Sequence, residues 1–189
     1  MKKMILGTFV FAIAVIAGST VTSAQMMKDE NPMVGGAAMY KTKTIVDNAV
    51  NSKDHTTLVA AVQAAGLVDT LKSLGPFTVL APTNAAFDKL PAGTVETLIK
   101  PENKATLTKV LTYHVIAGNN DSKAIMKAIK NGGGKAEFKT VSGGTLTAMI
   151  QGNSVVLMDE KGGRSTVTIA DVRQSNGVIH VIDSVVLPN

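Results

Sequence analysis

The sequence predicts an α+β domain, helical in its N-terminal half and built from antiparallel hairpins in its C-terminal half. Three observations carry this reading. Apolar residues recur at helical spacing up to about residue 130. Beyond that point, β-prone runs alternate with glycine-containing turns every 8–14 residues, the pattern of a sandwich or curled sheet. No repeat of 20–50 residues is present, so a single module is expected.

The elements follow in order. Lys2 and Lys3 precede an uncharged apolar run from residue 4 to 17 and then small polar residues ending in Thr22-Ser23-Ala24. The run would be roughly 21 Å long as a helix, short of a bilayer core of about 30 Å. It reads as a signal peptide over 1–24, cleaved near Ala24, with export to the periplasm, cell surface or medium and no permanent membrane span. An uncleaved anchor is the competing reading. Residues 25–41 show no period and read as a flexible tail carrying Met26, Met27, Met33 and Met39. Soft thioethers select Cu(I), so a copper site is the alternative for this tail, although the spacing is irregular and no histidine accompanies it.

The domain is expected over 42–189. Thr44-Ile45-Val46-Asp47 has the form of a capping box. Residues 57–72 carry Leu58, Val62, Ala65, Val68 and Leu71 on one helical stripe, interrupted at Gly66. The run 77–81, between Pro76 and Pro82, suits a strand buried on both faces. Thr83 or Asn84 then caps a short helix presenting Phe87 and Leu90, and another short helix spans 94–99. After Pro101, Leu107, Val110, Leu111 and His114 share one stripe, so His114 is predicted to point inward. Asp121 or Ser122 caps a last helix with Ile125 and Ile129, ended by Asn131 and the glycines 132–134. Strands are expected over 136–141, 145–150, 154–158, 166–172 and 178–187, with Asn176-Gly177 as a type I′ turn.

Composition narrows the function classes. The chain of 189 residues is 45% hydrophobic and 17% charged, which excludes a disordered polyelectrolyte. It has no cysteine and only 3 histidines, which excludes disulfide scaffolds, thiol chemistry and multi-histidine metal centres. The net charge of +5 falls to +3 without Lys2 and Lys3, too little to imply a nucleic-acid partner.

Three stretches bring a family into view. Gly75-Pro76-Phe77-Thr78-Val79-Leu80-Ala81-Pro82-Thr83-Asn84-Ala85-Ala86-Phe87 resembles the first signature of fasciclin (FAS1) domains. Ser175-Asn176-Gly177-Val178-Ile179-His180-Val181-Ile182-Asp183, running on to Leu187-Pro188, is similar to the second. Between them Leu111-Thr112-Tyr113-His114-Val115-Ile116 resembles the family's Tyr-His element. Ala85 and Ala86 stand where the family often has an acidic residue, a loss of favourable charge at a helix N-terminus. The resemblance, in the bacterial secreted single-domain form, implies a wedge-shaped antiparallel β-sandwich with helices in the N-terminal half. It also implies a non-enzymatic role in cell adhesion or in binding matrix protein or polysaccharide, without a cofactor. It makes Tyr113 and His114 candidate interaction residues.

The same residues admit other readings. His114 and His180 form a possible acid–base pair for an exported hydrolase. Their apolar surroundings favour rings satisfied by backbone groups instead. Tyr113 lies about 100° from His114 on a helix, so it either reaches the surface with its hydroxyl or sits in the core with one hydrogen bond. Thr83, Phe87, Asn176, Gly177, His180 and Asp183 are read as architectural, with Asp183 bonding backbone amides at a strand end. Gly132-Gly133-Gly134-Lys135 lacks both the earlier glycine and the following Ser or Thr of a phosphate loop.

Overall fold

The computed structural model describes residues 31–189. The predicted signal peptide, and the tail up to residue 30 with Met26 and Met27, lie outside the described residues.

The chain packs earlier than the sequence suggests. Strands β1 (Met33–Val34) and β2 (Ala37–Ala38) form a small hairpin. Val34 and Met39 are buried in the core. The Asn48 amide clamps this segment, accepting from the Tyr40 N–H at 3.0 Å and donating to its carbonyl at 2.8 Å. The second part of the expected flexible tail is therefore ordered domain. Its two buried apolar residues are too few to print a period in the sequence. Met39 is also removed from any copper site, its thioether lying in the core.

Helix α1 (Ile45–Ala49) starts at Thr44, whose Oγ1 accepts from the Asp47 N–H. Helix α2 (Thr56–Ala65) ends at Gly66, where φ of 73° lets its N–H turn back to the carbonyls of Val62 and Gln63. Helices α3 (Val68–Lys72), α4 (Asn84–Asp88), α5 (Thr94–Leu98), α6 (Lys104–Tyr113) and α7 (Ser122–Asn131) follow. Thr83 caps α4, its Oγ1 accepting from the Ala86 N–H at 3.2 Å. Thr83→Ala is expected to lower stability by about 1 kcal/mol in urea unfolding, and Thr83→Ser by much less. Equal losses in the two variants would show that the hydroxyl is not what caps this helix.

Seven strands form one sheet: β3 (Phe77–Pro82), β4 (Val115–Ala117), β5 (Lys135–Lys139), β6 (Thr145–Gln151), β7 (Ser154–Met158), β8 (Arg164–Gln174) and β9 (Gly177–Ile182), in the order β4-β3-β9-β8-β7-β6-β5. All pairs are antiparallel except β3 with β9, which run parallel from Phe77 opposite Gly177 to Pro82 opposite Ile182. The two edges nearly meet. Ile116 bridges Thr140, and the Val141 N–H donates to the Val115 carbonyl at 2.8 Å. The sheet is thus curled almost into a barrel.

Strand alternation divides the core into two layers. Val79, Ala81, Ile179 and Val181 face α1, α2, α3 and α6, packing with Ile45, Leu58, Val62 and Leu111. Leu80 and Ile182 face into the curl with Tyr113, Ile125, Ile129, Leu146 and Leu157. Strands β3 and β9 serve both layers at once. That double burial explains why their sequences are continuous apolar runs.

Several boundaries differ from the expected ones, and three of them bear on the site. Val115 and Ile116, the end of the Tyr-His element, belong with Ala117 to strand β4 on the sheet edge. Strand β9 ends at Ile182 instead of running to residue 187, because the Asp183 carboxylate takes the Thr166 N–H at 2.7 Å and the chain leaves the ladder. The two-residue turn is Ser175-Asn176, since Gln174 pairs with Gly177. Neither turn residue has positive φ, so the turn is not type I′.

Candidate functional site

The three histidines are all buried. His114 closes α6, where its Nδ1–H donates to the Val110 carbonyl at 2.8 Å and its Nε2 accepts from the Val186 N–H at 3.2 Å. Both nitrogens are engaged and the ring is neutral. Burial pushes its pKa down to about 4, against weaker opposing pulls from the Val110 carbonyl and the Asp159 carboxylate. His180 points into the curl from β9. Its Nε2–H donates to the Asn120 carbonyl at 2.8 Å, and its Nδ1 accepts a long bond from the Asp171 N–H at 3.4 Å. No hydrogen bond joins His114 to His180, and neither ring bonds a carboxylate among the described residues. The two rings are tied to separate backbone segments.

His55 lies outside every motif that the sequence singles out. Its Nδ1 bonds Ser52 Oγ at 2.8 Å, while its Nε2 has no hydrogen-bond partner among the described residues. Burial lowers its pKa. The nearby Ala81 carbonyl opposes this without being in hydrogen-bond geometry, and Asp54 opposes it as well.

Tyr113 is fully buried. Its hydroxyl donates to the Thr145 carbonyl at 2.7 Å and accepts from the Glu160 N–H at 3.3 Å, tying α6 to β6 and to the turn after β7. Burial raises its pKa to about 12. Gly144 packs against the ring, so close that a Cβ there would stand 2.6 Å from Tyr113 Cε2. His114 thus points inward as its stripe predicts, and of the two positions open to Tyr113 the structure has the buried one, with its hydroxyl bonded. A receptor contact through the side chains of Tyr113 and His114 would require opening the core, because α6 turns both towards buried layers.

Asn176 and Asp183 hold backbone. Asn176 Oδ1 accepts from the Ile45 N–H at 3.0 Å, and its Nδ2 donates to the carbonyls of Leu71 at 2.8 Å and Ser73 at 3.0 Å. Asp183 accepts from the Thr166 N–H and pairs with Lys89 at 3.6 Å. Burial is the largest influence on the Asp183 carboxyl and works to raise its pKa. The Thr166 amide, Lys89 and Ser184 together outweigh it, so the pKa ends below the usual carboxylate value. Phe87 is partly buried against the helical layer. On β8, interrupted by two bulges, Asp171 adopts φ of 59° and accepts from the Ser122 N–H at 2.7 Å, anchoring the start of α7. Asp is among the few non-glycine residues that tolerate this conformation.

A pronounced concavity lies in the helical layer. A cavity of about 260 Å³ is framed by α1, α2, α3, α6 and strands β3 and β4. Ile45, Val46, Leu58, Val62, Leu71 and Val79 supply most of its wall, and His114 contributes a ring whose nitrogens are both engaged. Asp47 and Lys72 are its charged lining residues, joined to each other at 2.9 Å. Sequence periodicity cannot reveal such a cavity, because it assigns each of these residues to a core without saying how completely that core is filled. Among the described residues, no group of His, Asp or Glu is arranged to hold a metal ion, and no helix is long and apolar enough to cross a membrane.

Comparison with known proteins agrees with this architecture. The fasciclin domain profile matches residues 53–188. The chain is 46% identical over 170 residues to protein sll1483 of Synechocystis sp., covering 89% of this chain and 87% of that protein. It is 32% identical to the cell surface glycolipoprotein MPB83 of Mycobacterium bovis, covering 89% of this chain and 78% of that one. Among solved structures, a FAS1 domain pair from the insect cell adhesion molecule fasciclin I superposes with a TM-score of 0.68 at 18% identity, over 77% of this chain and 51% of the other. Fold, strand arrangement and sequence thus point the same way: the chain belongs to the fasciclin domain family.

Proposed function

We propose that the protein is an exported, non-catalytic binding module that attaches to a cell-surface or matrix partner, either protein or polysaccharide. The observation that carries this reading is the state of its histidines within a fasciclin fold. His114 and His180 have both ring nitrogens committed to backbone groups, so neither is placed to exchange a proton with a substrate. Relatives named for the cell surface and for cell adhesion support the location and the role.

The partner meets exposed residues on a rigid scaffold, since the Tyr-His side chains are enclosed. A low charged fraction and few aromatic residues keep the affinity of a single contact modest, so several copies on one surface are needed for firm attachment. The protein coupled densely to beads is expected to be retained by at least one member of an array of matrix proteins and glycans. Retention should fall steeply as coupling density is reduced. Absence of retention at the highest density would overturn the assignment.

A further inference from the structure

The apolar cavity of the helical layer has no part in attachment through the outer surface. We infer that it is a binding site for one uncharged, hydrocarbon-rich small molecule with about ten carbon atoms inside the protein, such as a medium-chain alcohol or an isoprenoid of that size.

Volume sets the size. An apolar protein cavity of roughly 150 Å³ takes up benzene, with six carbons, so about 260 Å³ corresponds by proportion to about ten. The wall sets the chemistry. Ile45, Val46, Leu58, Val62, Leu71 and Val79 offer methyl groups and no hydrogen-bonding atoms, which favours hydrocarbon over sugar or peptide. Access is through an apolar lip, since the lining residues Val50 and Val141 are each 51% exposed.

Charge sets the head group. Asp47 and Lys72 neutralise each other at 2.9 Å, so the lining carries no net charge to attract an ion. A carboxylate at the mouth would meet the Asp47 carboxylate and would have to compete with it for Lys72. A hydroxyl suffers neither penalty, and Gln63 and Thr70, both exposed lining residues, can bond one.

Titration of the purified protein with 1-decanol and, separately, with decanoate at pH 7 tests this. 1-Decanol is expected to raise Tm with concentration and to shift the methyl NMR resonances of Val62, Leu71 and Val79. Decanoate is expected to bind at least tenfold more weakly. Val62→Phe, which places a ring in the cavity, should abolish the 1-decanol response. Unmoved methyl resonances in the unsubstituted protein would overturn the site whatever the variant does. A correctly folded Val62→Phe protein that still responds would do the same, and decanoate binding as tightly as 1-decanol would overturn the choice of an uncharged ligand.

Discussion

Gly177→Ala is expected to destabilise the domain by more than about 3 kcal/mol, a large share of the 5–15 kcal/mol typical of a whole domain. A Cβ at this position would lie 2.0 Å from the Phe77 carbonyl oxygen and 2.9 Å from the Phe77 nitrogen. These are backbone atoms of the first residue pair in the parallel β3–β9 ladder, so relief requires the two central strands to separate. Both core layers hang on those strands. The same corner constrains Gly75, where φ is 59° and a Cβ would stand 2.3 Å from the Asn176 carbonyl oxygen. Asn176→Ala should cost about 2–4 kcal/mol, because it strands the Ile45 N–H and the carbonyls of Leu71 and Ser73 in a buried setting. Asn176→Asp is no remedy, since it keeps the acceptor but turns two donated bonds into oxygen–oxygen contacts. Urea unfolding measures all three. A midpoint for Gly177→Ala unchanged from the parent protein would mean that the strands do not approach each other as described.

This corner shows what the sequence discloses and what it withholds. Helix-half and hairpin-half organisation was legible because periodicity changes at residue 130, and the three fasciclin-like stretches were legible as words. Asn176-Gly177 read as a hairpin turn for a sound local reason, yet the pair has a tertiary task. Asn176 reaches across to α1 and α3, and Gly177 lets β3 pass close by. Local turn chemistry cannot announce a partner a hundred residues away. Strand β4 was hidden for a related reason. Three residues directly after a helix carry no alternation, and only pairing with β3 makes them a strand. His114 was placed inward by its stripe. For Tyr113, one position away, helical geometry left two answers open, and its burial in the layer inside the curl decided between them. Site-level features fared worst. Neither the cavity nor the His55 nitrogen left unpartnered among the described residues has a signature in one dimension, because each depends on how several elements fail to fill or satisfy a shared space.

Acidification is expected to weaken the domain from about pH 6.5 downwards, and His114 is the main cause. Its folded-state pKa of about 4 lies below the ordinary 6.5, so the unfolded chain binds the proton more tightly. The associated stability is present in full above pH 6.5 and is lost as pH falls through the window down to about 4. Over that window the loss amounts to roughly 3 kcal/mol, at up to about 1.4 kcal/mol per pH unit. His55 acts in the same direction, its pKa also lowered by burial. Asp47, Asp121, Glu160 and Asp183 are held below their ordinary values of 3.8 or 4.5, so their contributions disappear only at lower pH. Urea midpoints measured from pH 7.5 to 4.5 should therefore fall. His114→Gln should be less stable than the parent at pH 7.5, because the bonds to Val110 and Val186 are impaired. Its decline with acid should be shallower, bringing the two proteins together near pH 4.5. Parallel curves would show that His114 does not carry the proton linkage. Convergence would identify a neutral imidazole as part of the joint between α6 and the C-terminal segment, which protonation breaks from both sides: Nε2 can no longer accept from Val186, and the charge is left inside the core.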